Sequence, residues 1–155
     1  MTPSKMKYLL TFSLFVLLAL SSCADDDDTF APSDCGPLIN TVGSIDGLGS
    51  GDQFGISSTS VDGLCLSIEV SATGCNTEEW TAELITNSSV DEGTPTQTTA
   101  RFVFDNQLPE DAITCLTIVS KTFTFDLSPY LTTEVLPSNL TILGPDTTSM
   151  TLLVE

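Results

Sequence analysis

The sequence predicts an all-β fold: an antiparallel two-sheet sandwich, immunoglobulin-like, with about seven strands after an N-terminal signal helix. Three observations carry this. Apolar residues recur with period two through most of residues 54–154. Clusters of Gly, Pro, Asn and Asp separate the alternating runs. Thr, Val and Ile, which suit a pleated and half-buried surface, are abundant. No segment after residue 22 has a helical period. A closed barrel is the runner-up, and a transmembrane barrel is disfavoured because the strands are few, uneven and broken by Gly and Pro.

The chain opens with Lys5 and Lys7, followed by an apolar stretch from Tyr8 to Leu20 interrupted only by Thr11 and Ser13. A positive segment before an apolar run of this length is the layout of a secretory signal. The run is shorter than the roughly 20 residues a membrane span needs. Leu20-Ser21-Ser22-Cys23 then resembles the lipobox of bacterial lipoprotein signals: an aliphatic residue, two small residues, and a cysteine that is acylated and becomes the new N-terminus. The resemblance implies that residues 1–22 are a lipoprotein signal peptide cut after Ser22, with Cys23 as the lipidation site and the membrane anchor. A single acyl chain binds a membrane only marginally, so the several chains on such a cysteine are what make the anchor stable.

Residues 23–34 read as a lipidated acidic tether. Asp25, Asp26, Asp27 and Asp28 repel one another and cannot nucleate a core. An acidic cluster directly behind the lipidated cysteine is also similar to the export signal that carries lipoproteins of the Bacteroidota to the outer leaflet. That similarity implies an outer-membrane, lipid-anchored protein facing the cell surface.

Residues 35–155 are expected to form a single β-sandwich domain, a length that buries roughly two-thirds of the unfolded surface. Between Asp34 and Asp52 the chain is rich in Gly, Ser and Asp, which reads as loop or an irregular first strand. Phe54 and Ile56 start the alternation. Leu64, Leu66, Ile68, Val70 and Ala72 continue it, followed by Trp80, Ala82 and Leu84, then Ala100, Phe102 and Phe104. Ser67, Glu69, Ser71, Thr81, Glu83 and Arg101 fall between them, on the phase that faces water. From Ile113 to Leu127 the phase changes, with Leu116 and Ile118 on one side and Phe123, Phe125 and Leu127 on the other. A bulge near Ser120-Lys121 would reconcile the two. Leu140–Leu143 and Met150–Val154 flank Gly144-Pro145-Asp146, which predicts a terminal hairpin.

Charge narrows the partners. The chain has a formal net charge of −17, and both signal lysines leave with the signal, so Arg101 and Lys121 remain against 21 carboxylates. Nucleic acid is excluded, because affinity for phosphate backbones rests on Lys and Arg. Adhesion of the folded domain to anionic lipid is disfavoured for the same reason. The expected membrane contact is the Cys23 lipid.

With Cys23 acylated, Cys35, Cys65, Cys75 and Cys115 remain, an even number that reads as two disulfides in an exported chain. Zinc is disfavoured, since these spacings lack Cys-x-x-Cys pairs and the chain has 0 histidines. Spacing alone leaves the pairing open.

The stretches Val61–Ser71, Gly74-Cys75, Asp111–Cys115 and Phe123–Pro129 resemble small uncharacterised lipoproteins of the Bacteroidota, over roughly residues 52–131. The resemblance implies Cys75 with Cys115, which leaves Cys35 to Cys65. The chain departs from those relatives after the Gly-Cys element, where Asn76, Thr77 and Glu78 stand in place of a histidine. The resemblance supplies no activity.

Without histidine, neither a Ser-His-Asp nor a Cys-His system can be built, so no catalytic residue is assigned. Glu78-Glu79 beside Trp80 is the one carboxylate pair next to an aromatic. Trp80 lies on the apolar phase, which favours a core Trp capped by two loop acids. No cofactor is expected. Calcium is the one candidate ion, through Asp105, Asn106, Glu110 and Asp111 in the loop after the Phe102-Phe104 strand. The spacing does not match an EF-hand, and a solvated hairpin turn is favoured. Asp146-Thr147-Thr148 resembles the O-glycosylation site of Bacteroidota envelope proteins, with Thr147 as the acceptor. Asn87-Ser88-Ser89 and Asn139-Leu140-Thr141 match the N-linked pattern and are read as chance.

The expected function is therefore a non-enzymatic surface binding module, with a glycan, a peptide or another envelope protein as partner. A structural or assembly accessory of the outer membrane is the alternative, and a carboxylate-dependent hydrolase comes third.

Overall fold

The computed structural model describes residues 35–109 and 115–155. Among these residues the chain is all β, with no helix. The strands are β1 (Asn40–Thr41), β2 (Gly55–Asp62), β3 (Cys65–Thr73), β4 (Thr81–Asp91), β5 (Thr96–Asp105), β6 (Ile118–Asp126), β7 (Ser138–Leu143) and β8 (Ser149–Val154). They form a five-stranded sheet in the order β1-β4-β5-β7-β8 and a three-stranded sheet in the order β2-β3-β6.

The period-two pattern becomes the core directly. Leu66, Ile68 and Val70 on β3, Ala100, Phe102 and Phe104 on β5, and Leu140 and Ile142 on β7 are fully buried in one cluster. Phe102 joins the two sheets, with its ring centroid 6.0 Å from Phe123 and 5.9 Å from Phe125 on β6. Trp80 is buried, edge-on to Phe104 at 5.0 Å. Burying aromatic rings of this size supplies much of the apolar area that holds two sheets together.

The antiparallel expectation needs correcting at two places. β1 pairs with β4 in parallel, and β5 pairs with β7 in parallel. A parallel neighbour needs a crossover of a dozen or more residues. Here the chain leaves β5, runs back along β6 in the other sheet, and returns beside β5 in its original direction. The strand order also departs from the ABED and CFG arrangement of immunoglobulin domains. β2-β3-β6 follows the A-B-E order, but β5 stands between β4 and β7, where an immunoglobulin domain sets C beside F. Alternation reports which face of a strand is buried and carries nothing about which strand lies beside it.

A second correction falls on β6. Its register with β3 runs unbroken from Cys65↔Asp126 to Thr73↔Ile118, so the expected bulge near Ser120-Lys121 is absent. Phe123 and Phe125 set the inward phase, and Leu116 and Ile118 face outward with 95% and 74% exposure. Lys121 shares the inward phase. Its ammonium donates to the carbonyls of Thr77 and Trp80 at 3.0 and 2.9 Å, which ties down the loop that carries the core Trp.

The segment before β2 fastens both sheets. Ile39 N–H donates to Asp126 O on β6 (3.0 Å), β1 lies along β4, and Asp52 N–H donates to Phe104 O on β5 (2.9 Å). Gly51 sits against Phe104 at φ 79°, where a side chain would collide with the β5 backbone. The path agrees with an irregular first strand. The expected terminal hairpin is present as β7 and β8, closed by Gly144 N–H donating to Thr148 O at 2.9 Å.

Candidate functional site

The residues singled out in the sequence do not converge. Ser22, Cys23, Asp25, Asp26, Asp27, Asp28, Glu110 and Asp111 lie outside the described residues. Cys35 is bonded to Cys65 and Cys75 to Cys115, the two pairs the family resemblance implies. The first ties the segment before β1 to the first residue of β3, and the second joins the stretch after β3 to the stretch before β6. Thr147 is exposed at the tip of the β7–β8 hairpin, beside Asp146 at φ 55°. Glu78 and Glu79 are exposed, and Trp80 between them and β4 faces the core.

At the candidate calcium loop, Asp105 spends both carboxylate oxygens on Gln107. It accepts from the backbone N–H at 2.7 Å and from Nε2 at 2.8 Å. Asn106 Oδ1 accepts from Leu108 N–H at 2.8 Å, and Asn106 N–H donates to Asp52 Oδ2 at 2.9 Å. These bonds build a tight turn that places Gln107 at φ 57°. Among the described residues no three acidic, Cys or His side chains gather around one point.

A different place collects polar groups. β5 alternates strictly, and with Ala100 and Phe102 fully buried, Arg101 points to the outer face of the large sheet. Its register neighbours are Ile85 on β4 and Leu143 on β7. Both are aliphatic, so the guanidinium stem lies between two apolar walls. Ile45, on the segment between β1 and β2, is 7% exposed on this side. Ile45 and Asp46, Asn87, Ser89 and Asp91 on β4, Arg101 and Leu143 line a cavity of about 270 Å³ that opens to solvent.

The cavity lies beside a break in β4. Thr86 pairs with Ala100 and Val90 with Thr98, so Asn87, Ser88 and Ser89 together face Thr99 alone. Ser88 takes φ 58°, a left-handed conformation that costs a non-glycine residue roughly 1–2 kcal/mol. Local bonds hold it there. Ser88 N–H donates to Thr86 Oγ1 and Ser89 N–H to Asn87 Oδ1, both at 3.1 Å. Thr98 Oγ1 donates to Ser89 O and Thr86 Oγ1 to Thr99 O, both at 3.0 Å. Bulges re-aim side chains and recur beside functional sites. This one turns Asn87 and Ser89 toward Arg101.

Beneath the bulge, Tyr130 is buried, with its hydroxyl near the Thr86 side chain but outside good hydrogen-bond geometry. Burial pushes the Tyr130 phenol above its ordinary 10.0, and the Thr86 side chain acts in the opposite direction.

Arg101 is the unusual group. Its Nε is buried and has no hydrogen-bond partner among the described residues. Asp46 and Asp91 line the same cavity, yet no ion pair within 4.0 Å joins either to it. A buried donor left unpaired costs about 1–3 kcal/mol. The residue also lines the cavity, where the rest of its guanidinium can donate to a ligand. A hollow of about 340 Å³ beside Leu38, Leu84 and Phe125 carries only Glu83 as a titratable group, and its walls offer less to a polar ligand.

Sequence reasoning passed over Arg101 as one more water-facing residue. The available signal was its rarity: it is the sole arginine of the chain, placed mid-strand between Ala100 and Phe102. The bulge left only a loss of alternation after Leu84-Ile85.

No protein-family model matches the chain, and no curated protein matches it. Among solved structures it aligns with the crystal structure of a protein of unknown function, DUF1344, from Bacteroides vulgatus, at a TM-score of 0.49 and 13% identity. The alignment covers 77% of this chain and 56% of that one, so this chain spans little more than half of its neighbour.

Proposed function

We propose that this protein is a lipid-anchored envelope lipoprotein acting as a non-enzymatic binding module, with the Arg101 cavity as its ligand site. Cys23 holds the domain at the outer membrane, and the acidic tether presents it at the cell surface. One observation carries the binding role: Arg101, the sole arginine, lines a cavity walled by polar side chains and makes no ion pair there among the described residues. The non-enzymatic reading rests on a sequence with 0 histidines. Two disulfides are in keeping with an exported domain.

Fractionation and surface labelling test the address. Wild-type protein is expected in the outer membrane, acylated at Cys23 by mass analysis and labelled on intact cells, with Cys23→Ala released to the soluble fraction. An unmodified Cys23 would sink the anchor. Affinity capture from envelope extract tests the site: material retained by wild-type protein and equally by Arg101→Gln would overturn the assignment of the cavity.

A further inference from the structure

We infer that the Arg101 cavity takes a neutral saccharide, one ring at a time; this rests on the binding-module reading and names its ligand class. The walls select by charge first. Asp46 and Asp91 outnumber Arg101, and the whole chain carries −17, so an anion meets net repulsion despite the guanidinium. A cation is drawn by the two carboxylates but brings no acceptor for the Arg101 donors. A zwitterion has to give up the hydration of two full charges. A neutral polyol avoids that cost.

The donor and acceptor pattern then fits hydroxyl groups, each of which donates and accepts. The Arg101 guanidinium lines the cavity and brings N–H donors to it. Asp46 and Asp91 offer carboxylate acceptors. Asn87 Oδ1 is occupied by Ser89 N–H, which leaves its amide N–H groups to donate. Planar groups such as guanidinium, carboxylate and amide match pairs of neighbouring hydroxyls with two parallel bonds. Ile45 and Leu143 supply aliphatic surface for the C–H face of a sugar ring. At about 270 Å³ the cavity falls just under the roughly 300–1,000 Å³ of pockets for larger ligands, which limits it to a single ring.

Arg101 is the sole arginine, so its Nε–H gives a unique NMR signal in the full-length lipoprotein held in detergent micelles. Titration with the methyl glycosides of glucose, galactose and N-acetylglucosamine is expected to move this signal saturably for at least one of them. Glycine and glucuronate are expected to leave it in place. Arg101→Gln, read by backbone signals of Asn87 and Ser89, should weaken binding at least about tenfold. Asp91→Asn should weaken it in the same direction, with unchanged Trp80 emission showing that each variant is folded. If glycine or glucuronate shifts the signal and no neutral glycoside does, the saccharide inference falls and the binding module stands. If no probe moves it, both fall.

Discussion

The two outward faces of this sandwich are built from the same alternating strands and end up unlike each other. On the small sheet, Ser60, Ser67 and Thr124 lie in one cross-strand row, and Ser58, Glu69 and Thr122 in the next, with Ser60, Thr124, Ser58 and Thr122 exposed. On the large sheet, the row Ile85-Arg101-Leu143 is partly roofed by Ile45, and its β4 edge is broken by the Asn87–Ser89 bulge. A flat row of hydroxyls stays hydrated. A roofed row with one cation becomes a cavity. The difference comes from a single connection, the segment between β1 and β2, lying across one face only.

The contrast is broken most completely by removing what the faces share. Phe102→Ala opens the contact between the sheets and should cost about 3–5 kcal/mol, measured by denaturant unfolding followed at Trp80. Both faces would be lost together. Ile45→Ala is the sharper cut, expected to cost about 2 kcal/mol. Its backbone NMR shifts should gather around Arg101 and leave Ser60, Ser67 and Thr124 in place. Movement across both faces would mean that Ile45 is not a local roof.

Two further changes probe the large-sheet side from within. Arg101→Met removes the unpaired Nε while keeping an apolar stem, so stability should stay level or rise by about 1 kcal/mol. A marked loss would show that Arg101 is paired in solution. For Tyr130, folding favours the protonated phenol, so the folded protein holds its proton to a higher pH than the unfolded chain. That contribution is full below pH 10.0 and fades as pH rises through the raised folded value. The only other tyrosine, Tyr8, precedes Cys23, so alkaline absorbance titration of a protein that starts at Cys23 reads Tyr130 alone. Titration at or below 10.0 would contradict its burial. The smallest effect is on the open face, where Ser60→Ala should change stability by less than about 0.5 kcal/mol.

Strands were legible where each side chain's environment follows from its own strand. Leu66, Ile68 and Val70 announce β3, and Ala100, Phe102 and Phe104 announce β5, because a period of two maps directly onto two faces. Trp80 could be placed in the core on the same grounds. Leu116 and Ile118 misled, because hydrophobicity implies a buried phase while the register with β3 had already committed Phe123 and Phe125 to the interior. Arg101 was illegible as a site. Its partners Ile45, Asn87 and Leu143 lie on three other segments, and nothing local relates them.

The linear chain by itself determined the class of fold, the core faces of most strands and an even set of four cysteines after Cys23, since each depends on residue type and short-range period. Tertiary structure alone decided which strands are neighbours, that β5 and β7 run parallel, and that Arg101 Nε is buried with no partner among the described residues. Those outcomes depend on contacts between distant segments, whose competition for the same core and the same hydrogen bonds is settled only when the whole chain closes.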